Sequence, residues 1–349
     1  MEATASRPGA PEPVAVFGAG SWGTALAFSL AAHGGHPVTL WARREDHAAA
    51  IRATGRNEAY LPEALLPDAV RITSDLDAAA ARARLWVFAT PSQFVRGVAE
   101  QVAHRTCPDL TVVSVAKGIE NETLLTTTGV LRDVLEAEDP DRIGVLYGPS
   151  HAEEVAASRP TSVVVAIPDP AEAERVQRAF MTRDLRVYGN ADLLGVEIAG
   201  SVKNVMAIAA GIGDGLGLGD NAKAALVTRG LAEIKRLGLA LGADPHTFAG
   251  LAGLGDLVVT CFSRHSRNRR FGELVGAGMG REEAEAAMTM VVEGVRTTLS
   301  VRALARRHGV EMPITEAIHA ILFDGLRPED AVGELMTRDP KAEDVPAQA

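Results

Sequence analysis

The apolar run Val14–Phe17 opens straight into GAGSWG at residues 18–23. Residues 24–32 then carry apolar side chains at helical spacing and stop at Gly34 and Gly35. Residues 37–41, PVTLW, return to a strand-like run. Strand, glycine turn, helix and strand within about thirty residues make a βαβ unit, and that context gives the G-x-G-x-x-G spacing its meaning. Gly18 permits the tight turn, Gly20 lets the backbone approach a pyrophosphate, and Gly23 lets the helix pack close to the sheet. The free N–H groups opening that helix offer positive potential to the phosphates. A chain that starts this way is expected to begin with an α/β, Rossmann-like dinucleotide-binding domain.

The second strand ends Trp41-Ala42-Arg43-Arg44. A site restricted to NAD usually carries Asp or Glu there, bonded to the ribose 2′-hydroxyl. Two arginines can instead hold a 2′-phosphate by charge-assisted bonds, so NADPH is expected to be accepted. Glu45 and Asp46 follow and leave NADH open, as does the plainer reading of a solvated charge cluster opening a helix.

The α/β alternation continues. Residues 75–84 read as an alanine-rich helix, and 85–89 as a strand ending in Thr90-Pro91-Ser92. Residues 93–104 read as helix, and 111–115 as a strand that delivers Ala116-Lys117-Gly118. Residues 122–136 read as helix and 143–146 as strand, followed by Tyr147-Gly148-Pro149-Ser150-His151-Ala152. Residues 162–167 are the last clear strand, and 170–181 its helix. Strands joined by crossover helices imply a mostly parallel sheet, with ligands at the strands' carboxyl ends. Lys117 and the Gly148–Ser150 turn fall at such ends. His151, opening a helix, reads more readily as a surface residue.

After Asn190 the strand signal disappears. The expected division is a disordered tail over 1–12, the dinucleotide-binding domain over 13–190, an all-helical substrate domain over 191–337, and a second tail over 338–349. The helical part opens on GVEIAGSVKNVMAIAAG at residues 195–211, mostly small or apolar, with Lys203 in its middle followed by Asn204. The chain has five lysines among 35 cations, so a lysine inside a buried helix stands out against an arginine background. Such an ammonium must find partners or lose its proton; the alternative is a lysine that snorkels to water. Three further polar clusters interrupt apolar stretches. In AGLGDLVVT at residues 252–260, Asp256 either caps a helix or faces a ligand, with Thr260 one turn on. SRHSRNRRFG at residues 263–272 reads as an anion site or a basic solvated loop. In VVEG at residues 291–294, Glu293 either caps the next helix or reaches a cofactor amide.

Composition narrows the partners. With 349 residues, 47% hydrophobic and 4% aromatic, the chain has an aliphatic core large enough for two domains. A net charge of −10 argues against nucleic acid. Cys107 and Cys261 offer neither a disulfide framework nor a metal site, which fits a reducing cytosol. No uninterrupted apolar run of about 18 residues appears, so no membrane span is expected.

Taken together, GAGSWGTALA from Gly18, AKG at Lys117, GPS at Gly148, VKNVMAIAAG from Val202, GLGDLVVTC from Gly253, SRNRRFG from Ser266 and VVEG from Val291 resemble the bacterial-type NAD(P)-dependent glycerol-3-phosphate dehydrogenases. The motifs run in family order over nearly all of the chain outside the tails. The resemblance implies an oxidoreductase that reduces dihydroxyacetone phosphate to sn-glycerol 3-phosphate with NADPH or NADH, supplying glycerophospholipid synthesis in the cytoplasm, and working as a homodimer. It implies Lys203 as proton donor and acceptor, with Lys117 and Asp256 beside it. It implies that Lys117, Gly148, Ser150, Lys203, Asp256, Ser266, Arg267 and Asn268 contact substrate. Ser21, Trp22, Arg43, Arg44, Lys117, Ala152, Arg267, Val291 and Glu293 would contact the cofactor, beside Gly18, Gly20 and Gly23. Many members carry Thr at the place of Ser150, and the hydroxyl is retained. The competing reading is a related two-domain dehydrogenase acting on a small keto or hydroxy acid.

Overall fold

The computed structural model describes residues 11–136, 139–340 and 342. Ten strands are described: β1 (Val14–Phe17), β2 (Val38–Trp41), β3 (Arg56–Asn57), β4 (Leu61–Leu65), β5 (Val70–Thr73), β6 (Leu85–Phe88), β7 (Thr111–Ser114), β8 (Ile143–Tyr147), β9 (Thr161–Ala166) and β10 (Leu185–Gly189). Between them run α1 (Ser21–Ala32), α2 (Glu45–Thr54), α3 (Leu76–Ala80), α4 (Val95–Val102), α5 (Thr127–Leu135), α6 (Ala152–Ala156) and α7 (Pro170–Phe180). Eight strands form one sheet in the order β10-β9-β8-β7-β6-β1-β2-β5, while β3 and β4 make a small antiparallel pair.

The sheet is mostly parallel, as expected; only β8 and β9 run antiparallel, with Val145 opposite Ala166. Alternation along the central strand explains the layering. Val14 and Val16 of β1 pack in one core with Leu26 and Leu30 of α1, and Ala15 and Phe17 in the opposite core with Trp86, Phe88 and Val95. A strand buried on both faces needs helices on both sides. The chain leaves β1 toward β2 and β5, then returns to β6 on the other side. The strand order thus reverses between β1 and β6, where a crevice opens at the carboxyl ends.

Three features were not legible as strands or turns. β5 and β10 lie at the two edges of the sheet, and Arg71 and Arg186 break their apolar runs. Solvated edge strands do not carry the continuous apolar signal of central ones. The helix expected over 122–136 begins only at Thr127, after a bridge between Ile119 and Thr126, because the Thr126 hydroxyl caps it from Gly129 N–H at 3.3 Å. Glu12, read as part of a tail, is ion-paired with Arg175, and its N–H donates to His36 Nδ1 at 3.1 Å. The remaining tail residues, apart from 11, 338–340 and 342, lie outside the described residues.

After β10 the described elements are helical: α8 (Leu193–Gly215), α9 (Gly219–Ala240), α10 (Asp256–Phe262), α11 (Arg267–Gly276), α12 (Arg281–Ala286), α13 (Glu293–Arg307), α14 (Pro313–Phe323) and α15 (Pro328–Met336). Asp192 caps α8, its carboxylate accepting Gly195 N–H at 2.9 Å. Every α8 residue from Gly195 to Ile212 is buried. It is one described helix long and apolar enough to cross a membrane, but 89% of that stretch lies inside the fold. Its helical neighbours supply an aliphatic core around Val202, Val205, Met206 and Ile208. The crossing with α11 is backbone to backbone: a Cβ on Gly211 would meet the Arg269 carbonyl oxygen at 2.0 Å, and one on Gly272 the Ile208 carbonyl oxygen at 2.1 Å. That close approach brings the first turn of α11 against the middle of α8, where Lys203 and Asn204 stand.

Candidate active site

The glycine turn sits at the carboxyl end of β1. Gly18 has φ 125°, and a Cβ there would meet the Ala89 carbonyl at 2.8 Å. A Cβ on Gly23 would meet the Gly18 carbonyl oxygen at 1.9 Å, which seats α1 directly on the turn. Gly20 is the N-cap of α1, and nothing lies within 4 Å of where its Cβ would stand. The start of α1 is therefore open at Gly20 and has no capping side chain, which fits an anion site. Trp22 Nε1 and Thr90 Oγ1 line the same crevice from either side, and neither finds a hydrogen-bond partner among the described residues. An open helix N-terminus and orphaned polar atoms at the switch point fit a bound dinucleotide. Arg43 and Arg44 are both exposed at the end of β2; Arg44 Nε is 3.4 Å from Asp46. Glu45 turns away to Ser74 Oγ, at 2.5 Å, and to Arg52. Both arginines thus stay exposed at the end of β2, whereas Glu45 is engaged. Ser21 reaches across to Met290 Sδ at 3.5 Å, and Ala152 opens α6 in the small core it shares with Ala25 of α1.

Asp256 is the centre of charge. A π-helical stretch, Leu251–Gly255, runs directly into α10, so Asp256 is neither a cap nor preceded by a free turn. Its side chain, 1% exposed, takes two ammonium groups: Lys117 Nζ on Oδ2 at 2.7 Å, and Lys203 Nζ on Oδ1. Lys203 Nζ also donates to Thr260 Oγ1 at 2.7 Å, and Thr260 in turn to the Asp256 carbonyl at 2.6 Å. Lys117 Nζ donates further to the Gly148 carbonyl at 3.0 Å. Lys203 is buried on α8 and does not snorkel. Burial pushes its pKa down and Asp256 opposes this, while Lys117 pushes the same way as burial; the result is about 8. Burial alone would raise the Asp256 carboxyl, but the Lys117 and Lys203 charges outweigh it and hold it below the usual range.

A second polar chain joins the helices around this group. Asn204 Nδ2 donates to the Lys117 carbonyl at 3.4 Å, Asn268 Nδ2 to Asn204 Oδ1 at 3.0 Å, and Gly294 N–H to Asn268 Oδ1 at 2.9 Å. Ser266 is the N-cap of α11, accepting Arg269 N–H at 3.2 Å. The SRNRRFG stretch is thus a helix opening and not a loop. Its arginines divide: Arg269 pairs with Asp214 at 2.6 Å and Arg270 with Glu273 at 2.8 Å, while Arg267 points to the crevice and donates to the Val291 carbonyl at 3.1 Å. Glu293 opens α13 without capping it and accepts Ser92 N–H at 3.4 Å. Burial raises its carboxyl, opposed by Arg267.

A cavity of about 170 Å³ collects these groups. Trp22, Lys117, Ser150, Lys203, Ser266, Arg267, Asn268, Val291 and Glu293 all line it, so the structure brings together residues read from six separate motifs. Asp256 and Gly148 stand behind the lysines, while Gly18, Gly20, Ser21, Gly23, Arg43, Arg44 and Ala152 lie outside the lining. His151 is a correction to the sequence reading: it is half-buried, lines the cavity, and its ring lies 5.6 Å from that of His265. Its place after a strand's carboxyl end was the available signal. A larger cavity of about 590 Å³ lies among α8, α9, α14 and α15, with a mostly apolar lining. The buried carboxyl on its wall, Glu233, is already taken by the Ile314 and Thr315 N–H groups at 2.6 and 3.3 Å. The smaller cavity has the convergent, free polar groups that chemistry requires.

Comparison with known proteins points the same way. The family described as NAD-dependent glycerol-3-phosphate dehydrogenase, N-terminus, matches residues 13–173, and its C-terminus counterpart matches residues 192–333. A glycerol-3-phosphate dehydrogenase (NAD(P)+) of Salinibacter ruber is 62% identical over 330 residues, covering 95% of this chain and 96% of that protein. One of Prosthecochloris aestuarii is 52% identical over 330 residues, covering 95% and 99%. The crystal structure of glycerol-3-phosphate dehydrogenase from Coxiella burnetii matches with TM-score 0.90 and 40% identity over 94% of this chain and 99% of that one.

Proposed function

The chain belongs to the NAD-dependent glycerol-3-phosphate dehydrogenase family, and from that premise we propose that it reduces dihydroxyacetone phosphate to sn-glycerol 3-phosphate, reversibly, with NADH or NADPH. The observation that carries the reading is the buried Asp256 with two ammonium groups on it, one of them held at a pKa of about 8, beside an open helix N-terminus at a sheet's switch point.

The nicotinamide, when bound in the crevice, would supply the hydride for the ketone carbon. Gly18, Gly20 and Gly23 would admit the pyrophosphate to the N–H groups of α1, with Ser21 and Trp22 as further contacts. Arg43 and Arg44 hold a ribose 2′-phosphate when there is one. Val291, Glu293, Ala152 and Lys117 would complete the contacts to the cofactor. Lys203 Nζ carries the proton that the substrate's carbonyl oxygen takes as it becomes a hydroxyl, and takes it back in the reverse direction. Asp256 fixes the ammonium's direction, and Lys117 brings its proton affinity down toward the working range. Ser266, Arg267 and Asn268 hold the phosphate at the start of α11, where the helix dipole favours an anion. Gly148 and Ser150 would complete the contacts to the substrate.

Absorbance loss of NADPH and NADH, with dihydroxyacetone phosphate and with unphosphorylated dihydroxyacetone, tests the reading. Turnover is expected only with the phosphate ester. No turnover there, with turnover on a small keto acid, would replace it by the acid-reducing alternative. We place the product in glycerophospholipid synthesis, the enzyme in the cytoplasm, and the working form as a homodimer. Light scattering of the purified chain at twice the monomer mass is the expected result for the last.

A further inference from the structure

Tyr147 ends β8 with its side chain fully buried. Its hydroxyl donates to the Ala116 carbonyl, the residue immediately before Lys117, and lies 3.2 Å from Thr127 Oγ1. Thr127 Oγ1 donates to Glu197 Oε1 at 3.2 Å. Glu197, on α8 and 2% exposed, also accepts Thr128 N–H at 2.9 Å and Thr128 Oγ1 at 2.6 Å. Its donors are the threonines opening α5; no ion pair to it is found among the described residues. Burying a carboxyl on neutral donors is costly, which argues that its position is what matters.

The same tyrosine meets Lys117 and α8 by its ring. Lys117 Nζ lies 5.6 Å from the ring centroid. On the α8 side, a Cβ on Gly200 would meet Tyr147 Cδ2 at 2.5 Å, so the ring packs directly against the helix that carries Lys203. Glu197, Gly200 and Asn204 follow one another at helical spacing on α8, and each touches the Lys117 segment or its support. The separation of the two ammonium groups on Asp256 is therefore referred to a single helix.

We propose that Tyr147, seated on Gly200 of the helix that carries Lys203, is a positioning residue: it holds the Ala116–Lys117 turn so that the second ammonium stays on Asp256 beside Lys203. The proposal rests on the proposed reaction for its catalytic meaning, but its geometry can be read without turnover. The charged and titratable groups that bear on Lys203 are Asp256 and Cys261 from α10, Lys117 after β7 and His151 before α6, with Glu293 at the start of α13. Only Lys117 is held by the tyrosine.

Tyr147→Phe keeps the ring on Gly200 and removes the hydroxyl from Ala116. With Lys117 loosened, Lys203 loses a like charge and its titration moves up in pH, by about one unit, which is tenfold in proton affinity. Five lysines make this directly observable: 13C-labelled lysine side chains in the full chain give few resonances, assigned by Lys203→Met and Lys117→Met. The expected results are an upward shift of the Lys203 midpoint, an alkaline limb of ketone reduction displaced the same way, and a KM for the phosphorylated ketone raised several-fold. An unmoved Lys203 midpoint in Tyr147→Phe, with or without a lower melting temperature, overturns the proposal. A wild-type chain without turnover on dihydroxyacetone phosphate would sink the proposed reaction instead, and the resonance shift would still decide the positioning role.

Discussion

Replacing Asp256 by Asn changes one charge and almost no volume at the most buried point of the site. The carboxylate is 1% exposed and is bound by two ammonium groups, so little solvent screens the change. Taking an effective dielectric of about 20 and a charge separation of about 4 Å, each attraction is worth about 4 kcal/mol. At roughly 1.4 kcal/mol per pKa unit, removing the carboxylate lowers the Lys203 midpoint by about two to three units, to near pH 5–6. Burial and Lys117 already push it down and nothing comparable then opposes them. The sign follows from the proton's role. Ketone reduction needs the protonated amine, so the wild-type rate is full below its pKa and falls as pH rises through about 8. In Asp256→Asn the same limb is expected to fall through about pH 5–6, leaving reduction at pH 7 down about 10- to 100-fold from this effect alone. The assay is the pH profile of kcat/KM for NADPH oxidation with dihydroxyacetone phosphate. Thermal unfolding should be followed alongside, because leaving the buried Lys203 cation without its carboxylate destabilises by about 3–5 kcal/mol. Lys203→Met supplies the reference, with the limb abolished and the rate down about 10²–10⁴-fold. A folded Asp256→Asn enzyme that keeps its limb near pH 8 would refute the assignment of that limb to Lys203.

Arg267→Ala removes a charge-assisted contact worth about 1.5–3 kcal/mol, so KM for the phosphorylated ketone is expected to rise about 10- to 100-fold with a smaller change in kcat; an unchanged KM would place the phosphate elsewhere. Arg43→Ala with Arg44→Ala should lower kcat/KM for NADPH about tenfold relative to NADH, read as a ratio on one preparation. Gly272→Ala drives a methyl to within 2.1 Å of the Ile208 carbonyl oxygen, and the backbone must move. Urea unfolding should show a loss of about 1–3 kcal/mol, and KM for the ketone should rise with it, since the displaced α11 carries Asn268 away from Asn204.

Much of this was written in local sequence. The first βαβ unit follows from Val14–Phe17 and the glycine spacing, because the turn, the open helix end and the close helix packing each need a glycine at one position. The buried helix follows from the run at residues 195–211, and the oddity of its lysine from a chain otherwise supplied with arginine. The edge strands β5 and β10 were illegible because solvent on one side lets charged residues interrupt them.

What no local pattern contains is the meeting of the groups. Asp256 lies 139 residues from Lys117 and 53 from Lys203, and its neighbours read equally well as a helix cap. Only the fold places Lys117 at the end of β7 against α10, and only burial on α8 turns Lys203 from a snorkelling cation into one with a lowered pKa. The four arginines of the SRHSRNRRFG stretch looked alike until α11 formed, after which Asp214 and Glu273 took two of them and Arg267 faced the crevice. Residue types and spacing determined which chemistry the chain could carry. Desolvation and the direction of each charge depend on contacts between distant segments, and these the tertiary structure alone decided.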